Sequence, residues 1–196
     1  MKIGVLALQG AFSEHLHMLR QLGVEALEVR LPDDLKDLDG LIIPGGESTT
    51  IGKLAVRYQL MNPLRRFAGD KPVWGTCAGM ILMAKSIGMD QPLLGTMDIV
   101  VERNAYGRQK DSFQEDVYVD VFKNGNARPF PGIFIRSPRL VQTKGRAVKI
   151  ASLANGSPVA ALENRILATA FHPELTSDLR FHRYFLSLIR PSASYF

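Results

Sequence analysis

Cys77, the one cysteine of the chain, sits in Gly75-Thr76-Cys77-Ala78-Gly79, a Gly-x-Cys-x-Gly pattern between a strand-like and a helix-like segment. That spacing is the form of a nucleophile elbow with cysteine in the serine position. A sharp strand-to-helix turn strains the nucleophile's backbone and holds its side chain out over the sheet edge. Glycines two residues to either side let neighbouring segments pass closely. The N-terminus of the following helix favours thiolate over thiol. The backbone N–H of Ala78 is placed to help hold an oxyanion. The competing reading is a buried structural cysteine.

A thiol nucleophile needs a base, and the base needs an orienter. His172 opens Phe171-His172-Pro173-Glu174 after an apolar run. Pro173 disfavours helix at His172. In an extended segment residues 172 and 174 project to the same side. The Glu174 carboxylate can then accept from one imidazole nitrogen while the other faces the thiol. Alternatively, His172 and Glu174 only open a helix. The other three histidines read as surface residues: His15 and His17 are two apart on the first helix and do not share a face, and His182 lies on the last. The triad read here is Cys77, His172 and Glu174.

The elements that must position these groups alternate along the first half. Residues 3–8 form a short apolar run, as in a strand covered on both faces. Phe12, Leu16, Leu19 and Leu22 recur at helical spacing, and Gly23 is a plausible stop. Residues 24–29, 39–43 and 72–76 read as further strands. Pro44-Gly45-Gly46 halts the third, after which Ser48 or Thr49 can cap a helix. Residues 78–87 read as helix. In the second half, residues 97–101, 117–121, 133–135, 148–152, 158–162 and 166–170 read as short strands. A last helix is expected from near Ser177. The fold predicted is α/β: a flavodoxin-like, doubly wound, mostly parallel sheet with helices on both faces. The later strands extend that sheet or form a small subsidiary one. Residues 103–111 read as a long exposed loop.

Composition narrows the functional classes. The chain has 196 residues, 46% of them hydrophobic and 22% charged, which suits one globular domain spanning 1–196. A single cysteine excludes an internal disulfide framework and a Cys-rich metal site, and a free thiol suggests a reducing, cytoplasmic compartment. No metal and no cofactor is expected. The formal charge of +5 is spread along the chain and is weak support for nucleic acid. The denser basic stretch, 136–149, is interleaved with Pro138, Leu140, Val141 and Gly145 and reads as solvated surface, the alternative being a partner-facing patch. No apolar run is long enough to span a bilayer. The apolar N-terminus reads as a buried strand, not a signal sequence.

Gly-x-Cys-x-Gly, a late His-Pro-Glu and an early Pro-Gly-Gly together resemble the class I, triad-type glutamine amidotransferases. Within them, five segments resemble the glutaminase subunits of pyridoxal 5′-phosphate synthase. These segments begin at Gly4 (Gly-Val-Leu-Ala-Leu-Gln-Gly), Pro44 (Pro-Gly-Gly-Glu-Ser-Thr-Thr), Gly75 (Gly-Thr-Cys-Ala-Gly), Val101 (Val-Glu-Arg-Asn-Ala-Tyr-Gly-Arg-Gln) and Phe134 (Phe-Ile-Arg-Ser-Pro). The likeness runs from residue 2 to about residue 189. It implies hydrolysis of L-glutamine to glutamate and ammonia through a Cys77 thioester. His172 takes the thiol proton and later protonates the departing ammonia. The ammonia passes to a synthase subunit that makes pyridoxal 5′-phosphate, in a hetero-oligomer with many glutaminase subunits around a synthase ring. Neither nucleic acid nor membrane is a partner. The isolated subunit is expected to be weakly active and stimulated by its partner.

The resemblance also gives the remaining motifs roles. Gly46 becomes a second oxyanion donor beside Ala78. Glu47 and Ser48 meet the amino-acid end of glutamine, where Glu47 suits the α-ammonium. Arg103 and Arg136 either bind the α-carboxylate or fix the loops around it. Ile135 adds backbone contacts. Gln9 and Gly10, just beyond the first strand on the same sheet edge, are expected to sense the synthase partner and gate the oxyanion hole.

Overall fold

The computed structural model describes residues 1–103, 112–122 and 128–189. Motif residues 104–109, most of the expected loop and the tail 190–196 lie outside the described residues.

Five strands form a parallel half-sheet. They are β1 (Lys2–Leu6), β2 (Glu25–Val29), β3 (Gly40–Ile43), β4 (Val73–Thr76) and, from far along the chain, β12 (Ile166–Thr169). All residues of β3, β4 and β12 are buried, which explains their uninterrupted apolar runs. The helices that cover them are α1 (Phe12–Gln21), α2 (Ser48–Arg57), α3 (Met61–Asp70), α4 (Ala78–Met83) and α5 (Arg180–Ile189). Successive residues of β4 face opposite sides of the sheet. The Trp74 indole meets His15 of α1 and Phe181, His182 and Phe185 of α5. Gly75 faces α4, and α2 packs beside α4. Helices therefore lie on both faces, as the sequence predicts.

The later strands do both things open to them. The sheet continues antiparallel from β12 through β11 (Pro158–Glu163), β10 (Val148–Ser152), β7 (Ser112–Val119) and β8 (Phe130–Ile135). A second sheet holds β5 (Ala84–Ser86), β6 (Met97–Glu102) and β9 (Arg139–Thr143). Here the sequence reading needs correction. The helix read over 78–87 stops at Met83, because Ala84 and Ser86 pair in parallel with Met97 and Val100 of β6. The basic stretch 136–149 does expose its charged side chains, as solvated surface should, and it also contains β9, whose Leu140 is buried opposite Val101. A strand with one buried residue and an exposed valine beside it carries almost no alternation to detect. Helix α3 has no counterpart in the sequence reading. It buries Leu64 and Ala68 four residues apart, and Pro63 falls in its first turn, where the missing N–H costs nothing. The last helix begins at Arg180, later than expected, after Asp178 has bound the Arg180 N–H and guanidinium. No helix among the described residues is long and apolar enough to cross a membrane.

Candidate active site

The ends of β1, β3, β4, β8 and β12 converge on one edge, and the chemistry-bearing residues sit there. Cys77 follows β4 directly and has φ 48° and ψ −104°, a region that side chains rarely enter. The turn is pinned by the Cys77 N–H, which donates to the Thr169 carbonyl of β12 at 2.8 Å. It is also pinned by packing. A Cβ on Gly79 would lie 2.0 Å from the Ile43 carbonyl oxygen, and one on Gly75 would lie 2.6 Å from Gly79. Only glycines allow α4 to start so close to β3 and β4. Ala78 opens α4, so its N–H has no intrahelical acceptor.

His172 lies just beyond β12. Its N–H donates to the Ile133 carbonyl of β8 at 2.8 Å, which ties the histidine to the strand at the sheet's far edge. His172 Nδ1 is 2.7 Å from Glu174 Oε1, which leaves Nε2 free for the Cys77 sulfur close by. The backbone between the two residues is not the extended segment read from the sequence. Pro173–Leu175 is a turn of 3₁₀ helix with Pro173 in its first turn. The side chains still meet, because His172 itself keeps a non-helical backbone (φ −107°, ψ 84°) as the residue before proline. Burial pushes the His172 imidazole towards its neutral form. Its contacts with Cys77 and Glu174 outweigh that and raise it to about 10, so the charged imidazolium is favoured.

The Ile135 carbonyl, at the end of β8, is 4.0 Å from Cys77 Sγ. Arg136 follows in an exposed position with φ 44°, and the Ser137 hydroxyl accepts the Ile135 N–H at 3.1 Å. The Pro44-Gly45-Gly46 loop runs beside Cys77. Thr76 Oγ1 accepts the Gly45 N–H at 3.0 Å, and the Gly45 carbonyl accepts the Ala11 N–H at 3.0 Å. Gln9 Oε1 accepts the Glu47 N–H at 2.7 Å, so the end of β1 and Gly10 are strapped onto the same loop.

Glu47, not Ser48 or Thr49, caps α2. Its carboxylate accepts the Thr49 N–H at 3.1 Å and the Thr50 N–H and hydroxyl at 2.7 Å each. A carboxylate reaches two N–H groups of the first turn where the shorter Ser48 hydroxyl turns inward to Gln91 Oε1 at 3.2 Å. Partial burial alone would raise the Glu47 carboxyl, but the hydrogen bonds from Thr50 and Thr49 hold it at about 2. The Arg103 guanidinium donates to Glu47 Oε1 (3.1 Å), Thr49 Oγ1 (3.0 Å) and Gln91 Oε1 (2.8 Å), joining β6 to the start of α2.

Two histidines read as surface are fully buried here, and this is the largest correction to the sequence reading. His15 and His182 are both 0% exposed and lie 3.0 Å apart, Nδ1 to Nε2. His15 Nε2 is 3.2 Å from Thr76 Oγ1 and 3.3 Å from Glu174 Oε2. His17 alone of the three is exposed. The signal was present in the spacing: His15 falls on the Phe12, Leu16, Leu19 stripe, and His182 beside Phe181 and Phe185. A lone histidine on an apolar stripe looks the same whether it touches solvent or a second helix.

The chain is similar to known proteins along most of its length. The sequence pattern of the SNO glutamine amidotransferase family matches residues 5–190. The chain is 54% identical over 193 residues to pyridoxal 5′-phosphate synthase subunit PdxT of Herpetosiphon aurantiacus, covering 96% of this chain and 100% of that one. It is 53% identical over 195 residues to the protein of the same name in Dehalococcoides mccartyi, covering 97% and 98%. A crystal structure described as a glutamine amidotransferase superposes with a TM-score of 0.88 at 46% identity, covering 95% of this chain and 98% of that one. With a family match over nearly the whole chain and relatives more than half identical to it, the chain belongs to the SNO glutamine amidotransferase family.

Proposed function

We propose that this chain is the glutaminase subunit of a pyridoxal 5′-phosphate synthase. It hydrolyses L-glutamine to L-glutamate and ammonia, and the ammonia feeds pyridoxal 5′-phosphate synthesis on a synthase subunit. The observation that carries the reading is a strained cysteine whose thiol meets an imidazole oriented at 2.7 Å by a buried carboxylate. That arrangement suits acyl transfer.

In the proposed sequence, the Cys77 thiolate attacks the side-chain amide carbon of glutamine. The carbonyl oxygen gains charge and is held by the N–H groups of Gly46 and Ala78. The His172 imidazolium gives its proton to the amide nitrogen, which leaves as ammonia and closes a thioester on Cys77. Water then attacks the thioester with His172 as base, and glutamate leaves with the thiol restored. Glu174 keeps Nδ1 of His172 protonated throughout.

Glu47, Ser48, Arg103, Ile135 and Arg136 are assigned to the amino-acid end of glutamine. Of the two roles open to the arginines, the contacts of Arg103 with Glu47, Thr49 and Gln91 favour fixing the loop. Arg136, exposed one residue beyond the carbonyl facing Sγ, suits the α-carboxylate. Gln9 is assigned to sensing the synthase, because its amide grips the Glu47 N–H beside Gly46. The assembly proposed is a synthase ring carrying many glutaminase subunits, working in the cytoplasm.

The test is glutamate release from glutamine by the chain alone and with a pyridoxal-phosphate synthase subunit added, with Cys77→Ala as control. Release that rises with the partner and vanishes in the variant is expected. Release indifferent to the partner would move the protein to another pathway. Partner stimulation that survives unchanged in Gln9→Ala would remove Gln9 from the gate.

A further inference from the structure

The triad's outer carboxylate oxygen has a neighbour that the reaction above does not use. Glu174 Oε1 is taken by His172, while Oε2 is fully buried and has no well-aligned hydrogen bond among the described residues. The polar atom facing it is His15 Nε2, 3.3 Å away. The same nitrogen is aligned on Thr76 Oγ1 at 3.2 Å. On the far side of the ring, His15 Nδ1 meets His182 Nε2 at 3.0 Å, and His182 Nδ1 is buried without a partner. The edges of both rings meet the Trp74 indole, with centroids 5.5 Å and 4.9 Å away, and both side chains are fully buried.

Two proton arrangements are open to this pair. If His15 carried its proton on Nδ1, the bare Nε2 lone pair would face a buried carboxylate oxygen. His182 would then hold an N–H on Nδ1 with no acceptor. Both are costly in a dry interior. If each ring carries its proton on Nε2, His182 donates to His15 Nδ1. His15 in turn directs an N–H between Thr76 Oγ1 and Glu174 Oε2, and only a bare lone pair is left unpartnered. Burial supports neutral rings in either case. It lowers His182 to about 3, and it lowers His15 well below the ordinary range, with His182 and His172 adding to the effect.

We propose that His15 is a positioning residue for amide hydrolysis: its Nε2–H holds the outer oxygen of Glu174, and the Nε2–H of His182 fixes His15 in that tautomer. Thr76 makes the same nitrogen a junction, since its hydroxyl oxygen also accepts the Gly45 N–H. One imidazole thus steadies the carboxylate behind His172 and the strand end beneath the Gly45-Gly46 loop. This rests on the triad roles proposed above, and the experiment separates the two.

The experiment compares His15→Gln with His15→Asn, each assayed with the synthase subunit beside wild type and Cys77→Ala. The glutamine side chain can place an N–H where Nε2 stands. The asparagine side chain is too short to reach Glu174 but can still accept from His182. Both are polar and of similar bulk. Asn is expected to lower kcat about 10-fold with KM unchanged, and Gln to restore it to within about 3-fold, the range of a lost second-layer contact to a catalytic group. Equal kcat in the two variants, or a change confined to KM, would overturn the proposal while Cys77-dependent activity upheld the triad. Loss of activity in wild type itself would overturn the triad reading instead. Should both variants unfold, ¹⁵N spectra of histidine-labelled wild type decide: His15 and His182 are expected as Nε2–H tautomers, and His15 protonated on Nδ1 overturns the proposal.

Discussion

Gly45 lies so close to His172 that a Cβ on it would sit 2.4 Å from the imidazole Cε1 and 3.2 Å from the Cys77 Cβ. The loop that is to cradle the substrate oxygen and the ring that is to move its proton are therefore one packed unit. Gly45→Ala must displace one of them. Glutamine hydrolysis is expected to fall at least about 100-fold, since an ångström of misplacement at a reacting group has that effect. Circular dichroism should stay near wild type, because the clash is confined to the sheet's edge. Wild-type turnover in Gly45→Ala would mean that the loop relaxes freely.

The backbone strain at Cys77 predicts an inverted stability order. In ordinary helix or strand interiors glycine is less stable than alanine by about 0.5–1 kcal/mol. At φ 48° and ψ −104° the side chain itself is the source of strain. Cys77→Gly is expected to be more stable than Cys77→Ala by about 1 kcal/mol in urea unfolding, although both are inactive. The usual order would show that the elbow is not strained.

The His172 imidazolium should be visible directly. Its folded value is raised to about 10 from an ordinary 6.5. Stabilisation from this charge is full below pH 6.5 and is lost as pH rises through about 10. In histidine-labelled protein the His172 Cε1 proton should titrate far above the ordinary 6.5. Cys77→Ala, which removes the partner that raises it most, should bring the midpoint down. A midpoint unmoved by Cys77→Ala would show that the thiol and imidazole do not interact.

Glu47 has the opposite sign. Its folded value is depressed to about 2 from 4.5, so its contribution is present above 4.5 and fades as pH falls through about 2. Wild type should exceed Glu47→Ala in thermal stability at pH 7, with the gap closing below pH 4. KM for glutamine should rise in the variant, because the Arg103 contact and the start of α2 depend on this carboxylate. A gap that persists at pH 2 would assign the cap to something other than the ionised carboxylate.

How much of this could be read before folding depends on how local each cause is. The Cys77 elbow was legible because its strain and close packing demand glycines at fixed offsets. The parallel strands were legible because burial on both faces leaves unbroken apolar runs. The pairing of His172 with Glu174 was legible even though its backbone was misread, since proline restricts the residue before it in either conformation. The cap at Glu47 was missed because Ser48 and Thr49 are the more usual capping types and stand right beside it. His15 and His182 were misread because their burial exists only once α1 and α5 meet over Trp74. The apolar spacing of each helix marks the stripe on which the histidine lies but not what packs against it.

Strand order sets when the thiol gains its neighbours. Cys77 rides on β4, but its base arrives on β12, which slots between β4 and β11 from nearly half the chain away. Parallel pairing across such a span is slow to form. The Cys77 turn itself leans on that late strand, through the Cys77 N–H on the Thr169 carbonyl. Cys77, His172 and Glu174 can therefore stand together only once β12 has docked between β4 and β11, so the site is among the last features of the fold to be completed.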